Sequence, residues 1–289
     1  MLNWLEMPSL KLIAVDIDGT LLNSASGISE TNLRALAEAH QAGVHVVLAT
    51  GRRHAFALPI ARLLGFEPFI ISSNGALSHD PCGKLLAMTL MSREIARAVL
   101  DQMQSWTNAA VLTFNRAGTG ALVVESRAEL VGRIARWVES NLEYILEVKP
   151  IQEALVEDPI QTMFCGTISE MREAVSQLKR GVVSGSVSIH VTQYDDRDLC
   201  IFDVLPPGCT KGHALAAVCE SLDIRREEVL AVGDNYNDRE MLEFAGHAFV
   251  VANAHEDMKG MGWQVTRSND EDGVAHAIAL ALEPTAVRA

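Results

Sequence analysis

The chain has 289 residues, of which 48% are hydrophobic and 21% are charged. This composition excludes a disordered chain, which would be poorer in aliphatic side chains, and the length favours two domains. The formal net charge of −13 repels phosphodiester backbones and anionic lipids, so we expect neither nucleic acid nor a membrane surface as a partner.

The cysteines and the amino terminus bear on the compartment. The five cysteines are odd in number, and none forms a C-x-x-C pair or a zinc-binding spacing. They predict reduced thiols rather than a disulfide framework. Residues 1–10 lack the basic and apolar regions of a secretory signal, and no apolar run reaches the roughly 18 residues of a membrane span. We therefore expect a cytoplasmic protein.

The first 80 residues alternate short apolar runs with helical patterns. Three continuous aliphatic runs are typical of strands buried on both faces, namely residues 11–16, 45–50 and 68–72. A helix is predicted over 29–42, with Ser29 as its N-cap and Gly43 at its end, and a second over 55–64.

The same alternation returns near the carboxyl end. The predicted elements there are a helix over 211–222, a strand over 229–233, a helix over 237–245, a strand over 248–251 and a helix from residue 273. Because parallel strands need crossover helices, the two stretches predict an α/β fold with a Rossmann-like, doubly wound parallel sheet.

The middle of the chain has a different pattern. Two strand pairs flank tight turns, namely 111–115 with 121–126, and 187–193 with 199–205. Helical patterns and one further strand lie between them, the helices over 92–106, 128–141 and 169–180 and the strand over 160–166. Hairpins combined with helices predict an α+β module at 84–207, inserted into a core formed by 1–83 and 208–289.

Acidic side chains follow two of the predicted parallel strands. Asp16 and Asp18 follow the first strand in the segment DIDGT, Thr50 ends the second strand, and Asp234 follows a later one. DIDGT alone is equally well explained as a turn, in which Asp caps backbone amides. Because all these segments lie at carboxyl ends of strands, where open α/β sheets bind ligands, we expect them to converge. Clustered carboxylates fit a hard divalent cation, and Mg²⁺ fits best.

Four motifs, in order, resemble those of the haloacid dehalogenase superfamily. They are DIDGT at 16–20, ATGR at 49–52, CTKG at 209–212 and GDNYND at 233–238. The chain is similar over nearly its whole length to the Cof-type phosphohydrolases of subclass IIB. This resemblance implies that the core is the catalytic domain and that the module at 84–207 is a cap that determines substrate specificity.

The resemblance also implies a role for individual residues. Asp16 is the expected nucleophile, which forms an aspartyl-phosphate, and Asp18 is the expected general acid and then base. Thr50 and Lys211 are expected to hold the phosphoryl oxygens as charge develops. The implied ligands of Mg²⁺ are the Asp16 carboxylate, the Asp18 main-chain carbonyl and Asp234, with Asp238 as a ligand or as a partner of one. The implied substrate-binding residues are Gly51, Arg52, Ser73, Asn74 and Asn237.

Two residues depart from the family pattern, Cys209 in the third motif, where an aliphatic residue is usual, and Tyr236 in the fourth. Tyr236 occupies a position in the fourth motif that often holds a small or acidic residue, and we expect its side chain to approach the substrate.

The implied function is Mg²⁺-dependent hydrolysis of a small phosphorylated metabolite, such as a sugar phosphate, by a hydrolase acting on phosphoric monoesters. Two alternatives stay open, a sugar phosphomutase that uses the same intermediate and a phospho-ligand-binding regulator without turnover. The presence of both Asp16 and Asp18 argues against the regulator, because Asp18 is dispensable for binding alone. The sequence leaves the substrate and the oligomeric state open.

Overall fold

A computed structural model describes residues 10–282 of the chain. Of the ten residues on which the expectation about a secretory signal rests, the first nine lie outside this range. Backbone contacts divide the chain into two units, Met1–Met88 with Thr210–Ala289 and Thr89–Cys209. None of the described helices has both the length and the apolar character needed to cross a membrane.

The two units contain fourteen named strands and nine α-helices within the described residues. In chain order the strands are β1 (Leu12–Asp16), β2 (His45–Ala49), β3 (Phe69–Ser72), β4 (Leu77–His79), β5 (Leu85–Met88), β6 (Ala110–Thr113), β7 (Leu122–Val124), β8 (Ile145–Glu147), β9 (Gln161–Gly166), β10 (Ser188–Tyr194), β11 (Leu199–Leu205), β12 (Val229–Gly233), β13 (His247–Val250) and β14 (Gln264–Val265). The helices are α1 (Glu30–Gln41), α2 (His54–Arg62), α3 (Arg93–Gln102), α4 (Arg127–Ser140), α5 (Ile168–Arg180), α6 (Lys211–Ser221), α7 (Arg239–Phe244), α8 (Glu256–Lys259) and α9 (Gly273–Leu282).

The first unit contains an eight-stranded sheet in the order β14-β13-β12-β1-β2-β3-β4-β5. The six strands from β14 to β3 are parallel, and every residue of β1 and β12 is buried, which explains their continuous apolar runs. Helix α1 begins where Ser29 caps the N–H of Asn32. The expected doubly wound parallel sheet of an α/β core is therefore confirmed.

An antiparallel hairpin, not predicted from the sequence, extends one edge of this sheet. β4 pairs with β3 and with β5, both antiparallel. Because β5 belongs to this sheet, the first unit continues to Met88 rather than ending at the expected residue 83. On the return the boundary lies after Cys209 instead of residue 207, since Thr210 already caps helix α6.

The second unit contains a six-stranded sheet in the order β10-β11-β9-β6-β7-β8. All its strand pairs are antiparallel except β7 with β8, and the two expected hairpins, β6–β7 and β10–β11, are present. The predicted helix over 92–106 is shorter in the structure, because α3 ends at Gln102 and a 3₁₀ helix occupies Gln104–Ala109. Separate apolar clusters cover the two faces of the sheet, one around Phe164 and Phe202 and the other around Val111 and Met163.

Candidate active site

Three strands of the first unit bring polar side chains to one edge of the sheet. Asp16 is the last residue of β1, Thr50 follows β2, and Asp234 follows β12. β1 lies between β12 and β2 and is parallel to both, so the three carboxyl ends meet. β2 and β3 follow β1 on one side of the sheet, whereas β12 and β13 lie on its other side. Open α/β sheets bind ligands at such a reversal of strand order.

The turn after β1 places Asp16 beside Asp234. The N–H of Leu21 donates to the Asp16 carbonyl at 3.1 Å and closes the turn. Gly19 has a φ of +84°, and a Cβ at this position would collide with the Asp234 carboxylate. Glycine is therefore required both for the backbone conformation and for the close approach. Thr20 Oγ1 donates to Asp234 Oδ1 at 2.9 Å and fixes that carboxylate.

A fully buried lysine joins two of the acidic side chains. Lys211 Nζ donates to Asp16 Oδ1 and to Asp238 Oδ1, each at 2.6 Å. Lys211 is the first residue of α6, whose N-cap is Thr210. Burial alone would lower the pKa of Lys211, but the two carboxylates outweigh burial and raise the pKa above its ordinary value. The ammonium therefore stays charged.

The backbone holds the other side of Asp238. Asp238 Oδ2 accepts hydrogen bonds from the N–H of Asp234 at 3.0 Å and from the N–H of Asn235 at 3.1 Å. With Lys211 on Oδ1, both oxygens of this buried carboxylate accept hydrogen bonds from protein donors. Asp238 thereby fixes the position of the Lys211 ammonium.

Asp16, in contrast, has one oxygen that is not satisfied. Its Oδ2 is buried and has no hydrogen-bond partner among the described residues, and the residue is only 4% exposed. Burial, followed by repulsion from Asp238, raises the pKa of Asp16 to about 7. Burial, followed by repulsion from Asp16, also raises the pKa of Asp234 well above its ordinary value. A cation beside these groups would oppose both shifts.

The acidic side chains fit a divalent cation. One carboxylate oxygen from each of Asp16, Asp234 and Asp238 lies within 4.8 Å of the others. The Lys211 ammonium pairs with two of these carboxylates, so the group keeps an excess of negative charge. Closely spaced carboxylate oxygens with an excess of negative charge are what a hard cation such as Mg²⁺ requires.

Asp18 is more exposed and pairs with Arg52. Arg52 Nε donates to Asp18 Oδ2 at 2.7 Å and Arg52 Nη2 donates to Oδ1 at 2.5 Å. The side chains of Arg52 and Asp18 are 34% and 42% exposed. This pair could not be predicted from the sequence, because it joins two motifs that lie on different loops.

The residues expected to hold phosphoryl oxygens lie in adjacent loops. Thr50 is 1% exposed, and its Oγ1 accepts from the N–H of Arg52 at 3.0 Å. Asn74 N–H donates to the Thr50 carbonyl at 3.0 Å, and Asn237 Nδ2 donates to Asn74 Oδ1 at 3.0 Å. A Cβ at Gly51 would lie 3.2 Å from Asn74 Oδ1. The structure thus brings together the loops after β2, β3 and β12.

Two further residues were expected on the substrate side. Ser73 is buried, and its Oγ has no hydrogen-bond partner among the described residues. The Tyr236 hydroxyl lies 2.7 Å from His255 Nδ1 and donates to Asp257 Oδ2 at 3.1 Å. These contacts join the turn after β12 to the start of α8.

Sequence reasoning assigned no role to two asparagines that support the turn after β1. Asn253 Nδ2 donates to the Gly19 carbonyl at 2.7 Å, and Asn253 Oδ1 accepts from the N–H of Asn269 at 2.8 Å. Asn269 Nδ2 in turn donates to the Leu22 carbonyl at 2.9 Å. The available signal was the position of Asn253 just after β13, another parallel strand ending at the same edge.

The chain is similar to known proteins over most of its length. The model of the haloacid dehalogenase-like hydrolase family matches residues 13–278. Phosphatase YwpJ of Bacillus subtilis is 33% identical to the chain, and the alignment covers 92% of the chain and 98% of that protein. The HMP-PP phosphatase of Cronobacter sakazakii is also 33% identical, and there the coverage is 84% and 85%.

A solved structure shows the same fold. The subclass IIB sugar phosphatase BT4131 superimposes with a TM-score of 0.75 at 22% identity, covering 93% of this chain and 97% of that one. The family model and the two sequence relatives confirm the resemblance that the four motifs indicated.

Proposed function

The chain belongs to the haloacid dehalogenase-like hydrolases, and on that basis we propose that it is a Mg²⁺-dependent phosphatase. It hydrolyses small phosphomonoesters through an aspartyl-phosphate intermediate, as a hydrolase acting on phosphoric monoesters. The coarser assignment, a phosphatase of this family, is supported by the relatives named above.

The observation that carries the proposal is the asymmetry of the Asp16 carboxylate. Lys211 holds Oδ1, whereas Oδ2 is buried without a hydrogen-bond partner among the described residues. Holding one oxygen fixes the orientation of the carboxylate, so the other can point at a reacting atom. A purely structural aspartate in the interior would have both oxygens satisfied.

In the first step Asp16 Oδ2 attacks phosphorus. A bond forms between Oδ2 and phosphorus, the bond from phosphorus to the ester oxygen breaks, and Asp18 gives its proton to the departing alkoxide. In the second step Asp18 removes a proton from water, the oxygen of which attacks phosphorus. The bond to Asp16 breaks and inorganic phosphate leaves. The greater exposure of Asp18 suits a group that exchanges protons with the leaving group and with water.

Mg²⁺ would be held by Asp16, by Asp234 and by the main-chain carbonyl of Asp18, with Asp238 supporting the site through Lys211. When bound, it neutralises the nucleophile and the phosphoryl oxygens, so that an anionic substrate can enter an acidic protein. Thr20 keeps the Asp234 carboxylate turned toward Asp16, and Gly19 leaves room for it.

The phosphoryl oxygens are bound by donors from three loops. We assign this role to Thr50, the Gly51 N–H, Lys211 and Asn237, whose N–H and O–H groups suit a developing negative charge. Arg52 and Ser73 lie beside these groups. Arg52 serves the substrate, and through its ion pair it also orients Asp18.

The substrate is a small phosphorylated metabolite. One relative is named an HMP-PP phosphatase and another a 5-amino-6-(5-phospho-D-ribitylamino)uracil phosphatase, and both names support that class. We assign the choice of substrate to the second unit. The five cysteines are free thiols, which supports a cytoplasmic location.

The metal requirement gives a direct test. Activity toward p-nitrophenyl phosphate should vanish in EDTA and return with Mg²⁺, and Asp234→Ala should weaken the apparent affinity for Mg²⁺. Ca²⁺ should substitute poorly, because its larger coordination shell would draw in both oxygens of Asp16. Asp223→Asn, which alters an exposed acid just after α6, is the matched control. Full activity in EDTA, or identical Mg²⁺ titrations for wild type and Asp234→Ala, would contradict the proposal.

A panel of phosphomonoesters separates hydrolysis from the alternatives. A hydrolase releases inorganic phosphate at a rate that does not depend on a bisphosphate activator. A phosphomutase needs the activator and isomerises the substrate, and a regulator binds phosphorylated ligands without turnover.

A further inference from the structure

The turn Ser73–Gly75 after β3 has an unusual backbone. Its three residues have successive φ values of +48°, +53° and +100°. Such values are uncommon outside glycine and cost free energy that the surroundings must offset, and they occur preferentially at functional sites. Contacts with neighbouring loops must therefore hold this turn in place.

The turn is bound to the loop that follows β2. The N–H of Ser73 donates to the Arg52 carbonyl at 2.8 Å, and the N–H of Asn74 donates to the Thr50 carbonyl at 3.0 Å. The backbone of the turn therefore fixes the loop that carries Thr50, one of the groups assigned to the phosphoryl oxygens.

The turn also lies against the start of α6. Gly75 is so close to the Thr210 carbonyl that a Cβ would overlap it. Thr210 is the N-cap residue of α6 and precedes Lys211. The glycine is required here by its positive φ and by this contact, so the turn packs directly against the residue that precedes Lys211.

The side chain of Asn74 reaches the third loop. Asn74 is 1% exposed, and its Oδ1 accepts a hydrogen bond from Asn237 Nδ2 at 3.0 Å. An amide that donates one of its two N–H groups to a fixed acceptor has a defined orientation. Its other N–H then points in a fixed direction.

We propose that Asn74 is a positioning residue, which orients the Asn237 amide toward the phosphoryl group and does not itself bind the substrate. The inference rests on the proposed function, and it replaces the expectation that Asn74 contacts the substrate directly. Together with its neighbours in the turn, Asn74 links the loops that carry Thr50, Lys211 and Asn237.

A double-mutant cycle tests this inference. Asn74→Gly removes the side-chain amide, and the glycine that replaces it tolerates a φ of +53°. It should lower kcat/KM and the affinity for inorganic phosphate about tenfold, as should Asn237→Ala. In the Asn237→Ala background, Asn74→Gly should have no further effect, because its partner is gone. Asp223→Gly, at an exposed residue with a φ of +54°, is the matched control and should leave both quantities unchanged.

The results that overturn the proposal are equally defined. If the losses in kcat/KM and in phosphate affinity multiply in the double variant, Asn74 acts independently of Asn237 and the proposal is wrong. A loss in Asn74→Gly without a loss in Asn237→Ala leads to the same conclusion. An unchanged Asn74→Gly protein also overturns it. If Asn74→Gly does not fold, a crystal structure of the wild type with inorganic phosphate decides. An Asn74 amide in direct contact with the anion overturns the proposal. An Asn74 amide that accepts from Asn237 and does not contact the anion supports it.

The design separates this inference from the proposed function. Calorimetry with inorganic phosphate measures the cycle without turnover. Hydrolysis without coupling between Asn74 and Asn237 overturns only this inference, and coupled phosphate binding without hydrolysis overturns only the function. A wild type that neither binds phosphate nor hydrolyses esters overturns both.

Discussion

The two units differ in what their interiors contain. The first holds an ammonium between two buried carboxylates, Lys211 with Asp16 and Asp238, and a third acid, Asp234, lies beside them. The second is built on apolar packing, with Phe164 stacked on Phe202 at 5.0 Å. Burying several like charges opposes folding, whereas burying aromatic rings favours it. The first unit thus carries the chemistry at a cost in stability, whereas among the described residues the second unit buries one acid, Asp203, which accepts a hydrogen bond from Gln161.

The two sheets also differ in the directions of their strands. Parallel strands end together at one edge, so β1, β2 and β12 bring three loops to one place. Antiparallel strands alternate in direction, and the hairpins β6–β7 and β10–β11 return the chain on itself. A convergent polar site is therefore a natural product of the first topology. Four substitutions test this contrast.

Asp16→Asn should abolish turnover, because an amide cannot form an aspartyl-phosphate. We expect a loss of more than about 10⁴-fold in kcat. The fold should not suffer, since the raised pKa of Asp16 means that its charge opposes folding above a pH of about 4. Denaturation in EDTA at pH 7.5 should show a variant at least as stable as the wild type. Hydrolysis within tenfold of the wild-type rate would refute the nucleophile.

Asp18→Asn should slow hydrolysis by about 10²–10⁴-fold, which is the usual contribution of general acid–base catalysis. The loss should be smaller for p-nitrophenyl phosphate than for alkyl phosphates, because nitrophenolate leaves without protonation. Stability should change little, since the ion pair with Arg52 is substantially exposed. Equal losses with both classes of leaving group would argue against Asp18 as the acid.

Phe164→Ala should act on stability rather than on chemistry. Phe164 is fully buried in the second unit, and its truncation should cost about 3–5 kcal/mol of unfolding free energy. Leu142→Ala, at a residue of the same unit that is 51% exposed, should change stability by less than about 0.5 kcal/mol. Urea denaturation of both variants measures the difference. A Phe164→Ala protein as stable as Leu142→Ala would contradict the apolar account of this unit.

His54→Gln should make the stability of the protein fall less steeply as the pH decreases below 6.5. The His54 ring stacks on His79 at 3.6 Å, and burial, followed by the charge of His79, lowers the pKa of His54 to about 4. Between pH 6.5 and 4 the unfolded chain therefore binds the proton first, and stability falls as the pH falls through this window. Asp16 and Asp234, with raised pKa values, act in the opposite direction, so the difference between variant and wild type isolates His54.

Thermal unfolding between pH 4 and 7.5 in EDTA measures this difference, with the exposed His213→Gln as the control. A His54→Gln profile parallel to that of the wild type would show that His54 does not contribute to the acid sensitivity of the first unit.

Local patterns were sufficient for the elements of the parallel sheet. The aliphatic runs of β1, β2 and β12 are buried on both faces, which makes them continuous and easy to identify. The hairpin β4–β5 was missed for the opposite reason. All four residues of β5 are exposed, so neither alternation nor burial marks it, and its pairing with β4 assigns residues 85–88 to the first unit.

Short segments of sequence were enough to predict the α/β core, the inserted α+β module and the motifs at the strand ends, because residue type, spacing and hydrophobic period are local properties. Tertiary structure alone decided which atoms meet. The Lys211 ammonium reaches Asp16 across 195 positions of the chain, and Asn237 reaches Asn74 across 163. Tertiary structure likewise decided that Asp18 pairs with Arg52 and that one oxygen of Asp16 has no partner. Such contacts depend on the packing of whole loops, and no local pattern records them.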